Sequence, residues 1–239
     1  MEHVAIQRAV KLAQDGADIL DIGGESTRPG ATPVLQGDEL ARVIPVIRGI
    51  RRAGVTIPIS IDTMKSRIAR AAVEAGATIV NDVSAGLYDP AMLDVVAELG
   101  VPYIVMHMQG TPQTMQDNPT YNNVVEDVYS FLSQRATEAR SRGIADVWVD
   151  VGIGFGKTLE HNLELLRNLR RFTELGTTVL GISRKGFLGA ITGVEHPADR
   201  DVVTMMAHAL LMHHGCDVLR VHDVAQARQL LRLAEALHG

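Results

Sequence analysis

The sequence predicts an α/β fold, a (β/α)8 TIM barrel with seven of its eight strands visible, and three observations predict it. First, seven short apolar runs (residues 19–23, 57–62, 78–82, 103–107, 147–150, 178–183 and 218–221) are each separated from the next by a helical stretch. That alternation is the sequence form of repeated β-α units, which build parallel sheets. Second, the hydrophobic fraction is 46% while aromatics are only 4%, so the core falls to Val, Ile, Leu and Ala. Such residues fill parallel strands that are covered on both faces. Third, the runs close on polar residues of different kinds, among them Asp21, Asp62, Asn81, His107, Asp150, Lys185, Arg220 and His222. In a barrel the strand C-termini open onto one face, where chemistry is done. A purely structural domain has no need for carboxylates, an amide, an ammonium, a guanidinium and imidazoles on one mouth, so the chain reads as an enzyme.

A length of 239 residues suits one domain covering 1–239. The chain opens on a helix over residues 4–14, with no strand before it, and Gly16 leads into the first apolar run. A loop rich in Gly, Thr and Pro occupies residues 23–37. The helix after it carries Arg48, Arg51 and Arg52 near its end, where they complement the helix dipole as a solvated face. Gly76 separates the next helix from its strand. Asp89 and Pro90 start a helix as N-cap and first-turn proline, and Gly100 stops it. A second long loop covers residues 110–123; loops of this length in a compact domain are usually functional. Thr158 caps the helix of Leu159, Leu163, Leu165, Leu166 and Leu169, and Gly176 precedes the following strand. Asp199 opens a helix that runs to His214 and stops at Gly215. Asp223 caps the last helix, with Leu230, Leu231, Leu233 and Leu237.

A net charge of −5 with no basic stripe argues against a nucleic-acid partner. No apolar run approaches membrane-spanning length, and the N-terminus lacks a signal-peptide pattern. Cys216 is the only cysteine, so no intrachain disulfide forms, which fits a reducing cytoplasm. His213, His214 and Cys216 lie at a helix end, where histidine suits the dipole, and read as structural rather than as a metal cluster.

Four segments carry chemistry. Gly23-Gly24-Glu25-Ser26-Thr27-Arg28-Pro29-Gly30 follows a strand; glycines admit an anion to backbone N–H groups, hydroxyls donate, and Arg28 adds a forked charge. Residues 151–158 end in Gly-Lys-Thr, but Val151 stands where a Walker loop needs glycine and the Rossmann spacing also fails, which leaves a tight turn presenting Phe155. Ser183, Arg184 and Lys185 end a strand and enter a helix, whose start attracts carboxylate or phosphate. Arg220 and His222 share one side of the last strand, away from Val221, as an anion site. Asp21, Asp62, Asn81 and Asp150 together suit a nitrogen-rich ring. A carboxylate accepts from adjacent N–H donors, and an amide complements a mixed edge. Asp62, and one of Asn81 and Asp82, also have a plain reading as helix caps.

With these residues in order, the chain resembles the dihydropteroate synthase family from about residue 5 to residue 237. The signatures are DIGGESTRPGA from Asp21, SIDT from Ser60, Asn81-Asp82, MHMQG from Met106, DVGIGFGK from Asp150, SRK from Ser183 and RVHD from Arg220. The resemblance implies condensation of 6-hydroxymethyl-7,8-dihydropterin pyrophosphate with p-aminobenzoate, giving dihydropteroate and pyrophosphate in folate biosynthesis. It implies a catalytic set of Asp21, Lys185, Arg220 and His222. Asp62, Asn81, Met106, Asp150, Phe155 and Lys185 would hold the pterin; Thr27, Arg28, Arg220 and His222 the pyrophosphate; Thr27, Pro29, Phe155 and Ser183 the p-aminobenzoate. It further implies Mg2+, sulfonamide inhibitors that bind after the pyrophosphate, and a homodimer, with Met205, Met206, Leu210, Leu211 and Met212 as a candidate interface. Two departures stand out. Val151 replaces the family's proline, and the family's first strand and loop, with its metal-binding Asn, are not in this chain. The expectation is a barrel that mostly folds but turns over poorly and gains from that segment. The rival readings are a pterin-dependent methyltransferase domain, which would lack the SRK and RVHD sites, and a non-enzymatic pterin-binding homologue.

Overall fold

A computed structural model describes residues 2–238 of the chain. Seven parallel strands form one sheet in sequence order: β1 (Leu20–Gly23), β2 (Ile59–Asp62), β3 (Ile79–Asp82), β4 (Tyr103–Met106), β5 (Val147–Asp150), β6 (Thr178–Leu180) and β7 (Val218–Leu219). The helices are α1 (Glu2–Gln14), α2 (Gln36–Arg52), α3 (Ser66–Ala75), α4 (Met92–Leu99), α5 (Val124–Ser141), α6 (Leu159–Arg167), α7 (Gly186–Thr192), α8 (Asp201–Leu211) and α9 (Val224–His238). All seven predicted runs are strands, trimmed by up to three residues at their ends.

Strand alternation sorts the side chains into two sets. Leu20, Ile59, Ile61, Val80, Tyr103, Val105, Val147, Val149 and Leu180 join the large core that the helices cover. The other set faces the barrel axis. Its lower layer is Ile79, Ile104 and Val179, with Ile19, Trp148 and Val218 packed against them. Register then places the next inward layer: Gly23 lies opposite Asp62, Asp62 opposite Asn81, and Met106 opposite Asp150. An apolar plug therefore supports a polar layer at the strand C-termini. The same alternation settles Asn81 against Asp82. Asp82 points outward, accepting from Tyr103 Oη (2.8 Å), Ser84 N (2.8 Å) and Gly86 N (2.8 Å), so it is the structural member of the pair.

β1 and β7 are not neighbours in the sheet. Side chains span the interval: Arg220 after β7 binds Asp21 of β1, and Arg228 of α9 donates to the Gly16 carbonyl (2.6 Å) and Asp18 (2.7 Å).

Helix boundaries show where local signals were misread. Helix α4 begins at Met92, not at Pro90. Asp89 instead accepts from Ala91 N (3.0 Å) and from Ser66 N (2.8 Å), so its carboxylate caps the neighbouring helix α3. The segment expected as one helix from Asp199 to His214 is α8 flanked by 3-10 turns, Pro197–Arg200 and Met212–His214. Arg51 is not part of a solvated face: its guanidinium donates to the carbonyls of Gly76, Val55 and Ile57, tying α2 to the next two connectors. Thr158 and Asp223 do cap their helices, Thr158 in a reciprocal box with His161.

His208 of α8 is buried with both ring nitrogens unpartnered, and burial pushes it down to about 4. A histidine lowered on folding stays neutral while the unfolded chain takes up a proton. Stability is then fully present above the unfolded value near 6.5 and is lost as pH falls from there toward 4. At pH 5 this one group should remove about 2 kcal/mol relative to pH 7. Urea midpoints should show His208→Leu losing less stability than the parent between pH 7 and 5; coincident acid limbs would refute this.

Candidate active site at the strand C-termini

Of the inward carboxylates, Asp62 and Asp150 are buried at the ends of β2 and β5, together with Asn81 on β3. Arg220 binds two of the carboxylates at once: Nε donates to Asp21 Oδ2 (2.6 Å) and an Nη to Asp62 Oδ2 (2.8 Å). Burial pushes Asp62 up to about 7, against the opposing pull of Arg220. Arg220 is itself raised, chiefly by Asp21. Asp150 is raised by burial, opposed first by the Gly152 N–H on Oδ1 (2.7 Å).

Lys185 donates to the Ile153 carbonyl (2.7 Å) and sits 4.3 Å above the Phe155 ring. Burial pushes it down to about 8, with the Asp150 charge working the other way. Met64, Val83, Met106, Met115 and Phe155, with Met108 beside them, form an apolar cluster separate from the barrel core. Thioethers around one aromatic face make an adaptable wall for a flat ring.

Ser183 and His222 form a pair. Ser183 Oγ accepts the His222 backbone N–H (3.2 Å) and lies 2.9 Å from His222 Nδ1. Oγ has a second lone pair, so this contact is made by either ring tautomer: Oγ donates to Nδ1 when the ring proton is on Nε2, and accepts when it is on Nδ1. Ser183 therefore does not cap a helix: α7 starts at Gly186, with Lys185 at the N-cap position. Arg184 adopts φ 59° and is consumed by Asp201 through two bonds of 2.6 and 2.7 Å, so it adds no charge to the anion site.

Two loops wall the mouth. Residues 24–35 carry Thr27, Arg28 and Pro29, of which Arg28 and Pro29 are exposed. Residues 107–123 are tied to the β5 turn by Gln116 Nε2 to the Gly154 carbonyl (2.9 Å) and Tyr121 Oη to the Gly156 carbonyl (2.6 Å). The loops touch where Gly30 N donates to the Pro112 carbonyl (2.9 Å). Gly152, at φ 67°, presses against the end of β4; a Cβ there would sit 1.9 Å from the His107 carbonyl oxygen. Val151, where the family's proline was expected, is buried and accommodated.

Three charged groups escaped the sequence reading. Lys157, dismissed with the false nucleotide motif, is buried and donates to His107 and Phe155 carbonyls, with Nζ 2.9 Å from His107 Nδ1. Glu39 and Lys65 are buried as an ion pair behind the first loop. Glu39 had a legible signal: it falls one turn before Val43 on the buried stripe of α2, and a charge there demands a partner.

As for a metal, among the described residues no group of three or more His, Cys, Asp or Glu could hold one. Asp21 and Asp62 suit a hard cation in kind, but both are bound to Arg220. These residues do not by themselves build a magnesium shell of near-octahedral oxygen ligands.

Residues 2–222 match the family model described as pterin binding enzyme. The dihydropteroate synthase of Haemophilus influenzae is 42% identical, over 97% of this chain and 84% of its own length. The Xanthomonas albilineans dihydropteroate synthase structure with 4-aminobenzoic acid superposes with a TM-score of 0.94 at 44% identity, covering 100% of this chain and 85% of that one. The Yersinia pestis dihydropteroate synthase in a sulfonamide drug complex gives a TM-score of 0.92 at 34% identity, covering 97% and 84% respectively.

Proposed function

The chain belongs to the pterin-binding enzyme family and is a transferase with dihydropteroate synthase function, and we propose that the polar mouth of the barrel is where it works. The observation that carries this reading is the juxtaposition of a buried acceptor set, Asp62, Asn81 and Asp150, with a rim of cationic Lys185 and Arg220 and the His222 imidazole. Asp150 and Asn81 accept the pterin's ring N–H groups, and the Met106–Phe155 wall holds its plane. Arg220, His222, Thr27 and Arg28 bind the diphosphate.

The carbon–oxygen bond to diphosphate breaks and the electron pair leaves with the anion. Positive charge spreads into the pterin, where Asp62 and Asp150 stabilise it. The aromatic amine, neutral at pH 7, attacks the methylene carbon and then releases its proton. Asp21 shares Arg220 with Asp62 and sets where the guanidinium stands. Ser183 and Pro29 receive the p-aminobenzoate beside Phe155. Magnesium would enter with the diphosphate oxygens, and no step here depends on it. The pathway served is folate biosynthesis in the cytoplasm. No described helix is long and apolar enough to cross a membrane.

The decisive assay is turnover with both substrates, with sulfonamide binding measured alongside. Sulfonamide should bind only when pyrophosphate or the pterin substrate is present, because the Thr27–Pro29 loop needs the anion. Tight binding to the bare protein would contradict that order, and absence of turnover would remove the reading.

The proposed homodimer uses the outer stripe of α8, where Val202, Met206 and Leu210 are exposed, rather than Met205, Leu211 and Met212, which are half-buried. Unpartnered apolar stripes of this kind mark association surfaces. Light scattering at micromolar protein should report a dimer, and Met206→Glu with Leu210→Glu should break it. A monomeric parent would exclude it.

A further inference from the structure

We infer that Lys65, which lies outside the substrate-contacting set, is a positioning residue that sets the loop carrying Thr27, Arg28 and Pro29 through a three-charge clamp with Glu25 and Glu39. The inference rests on reading that loop as the diphosphate and p-aminobenzoate wall.

Residues 24–35 have no helix or strand. Ordering a segment of that length costs about 1–2 kcal/mol per residue, so its placement must be enforced from outside. Lys65 Nζ lies 2.5 Å from Glu25 Oε2 and 2.5 Å from Glu39 Oε2, and donates to the Val34 carbonyl (2.7 Å). Glu25 Oε1 in turn accepts from Val34 N (3.2 Å). One ammonium thus holds both the entrance and the exit of the loop. Between those points the described backbone bonds are Ala31 N to Arg28 O and Gly30 N to Pro112 O.

The clamp is anchored on both other sides. Glu39 is fully buried on α2 and its Oε1 accepts from Thr63 Oγ1 (2.7 Å), while Thr63 Oγ1 accepts from Lys65 N (3.2 Å). Thr63 follows Asp62 directly in the chain, and Lys65 comes two residues later. The loop's position is therefore fixed relative to the carboxylate proposed to meet the pterin. The charge balance separates the two glutamates. Lys65 and Glu39 neutralise each other in the interior, and Glu25 is the additional carboxylate that brings the loop to them. Loss of Glu25 leaves a neutral buried pair, so the barrel keeps its core while the loop loses the tether at its entrance and keeps only the Val34 carbonyl bond at its exit.

The test uses the full chain. Glu25→Ala should raise the KM for p-aminobenzoate by about tenfold or more while the Kd for a pterin analogue stays within about twofold. Glu25→Gln, which keeps an acceptor for Val34 N and Lys65, should recover part of the loss. Lys65→Met should show the same selectivity by calorimetry wherever it folds, judged by circular dichroism. Parental KM and kcat in Glu25→Ala would overturn the clamp, as would equal losses for both ligands accompanied by a fallen Tm. A parent that binds no pterin analogue would instead overturn the reading of the mouth itself.

Discussion

Asp150→Ala should cost about 2–4 kcal/mol of pterin binding, a loss of roughly 30- to 1000-fold in affinity. Asp150 is buried at the C-terminus of β5, inside a layer supported from below by Ile104, Trp148 and Val179. Its Oδ1 is held by the Gly152 N–H, so the carboxylate has little freedom to reorient and is built to accept from a fixed direction. A ring N–H that loses this acceptor in a dry pocket meets no water in its place, which is why the cost exceeds that of an ordinary hydrogen bond. Asp150→Asn keeps the shape but substitutes a donor for one acceptor, and should fall between the parent and the alanine variant. The Gly152 turn also loses a partner, so a thermal melt must accompany the calorimetry. Unchanged pterin affinity in a folded Asp150→Ala protein would end the assignment.

Arg220→Ala should lower kcat/KM by about 100- to 1000-fold, and should weaken competition by inorganic pyrophosphate by at least about tenfold. This guanidinium is shared between Asp21 and Asp62. A bound diphosphate would offer it a stronger anion and leave Asp62 for the proposed contact with the pterin. Without Arg220, Asp62 loses the influence that lowers its pKa, while burial, which raises it to about 7 even with Arg220 present, remains. Its carboxyl would then be largely protonated at pH 7 and would accept poorly. The residual pterin affinity of Arg220→Ala should therefore improve as pH rises above 7, more steeply than in the parent. A pyrophosphate inhibition constant equal to the parent's would show that the anion sits elsewhere.

Much of this site was legible in the chain because strands are short and periodic. Several residues that close the apolar runs, among them Asp62 and Asp150, stand at the mouth, whereas Asp82 and His107 turn outward; two-residue alternation picks Asn81 over Asp82 once Tyr103 is seen to hold the latter. Arg220 and His222 were expected on one side of the last strand; β7 ends at Leu219, so both stand in the segment after it, and their partners were not readable. That Arg220 reaches Asp21, at the far end of the sequence, depends on the curl of the sheet. Arg184 shows the converse error. A basic residue beside an expected helix start looked functional, yet a left-handed backbone turn hands it to Asp201 on α8. Asp89 was read as the cap of its own helix and caps the adjacent one, since the nearest unpaired N–H in space belonged to Ser66.

By itself the sequence determined the parallel β/α order and the candidate residues for the C-terminal mouth, because those follow from local period and chain direction. Tertiary structure alone decided which charges pair, which lysines are buried, and what fixes the loop of Thr27 and Arg28. Glu25, Glu39 and Lys65 are 14 and 26 residues apart in sequence order, yet one ammonium meets both carboxylates. Electrostatic partners are chosen by distance and by the cost of leaving a charge unpaired away from water, and neither quantity exists until the helices have packed around the barrel.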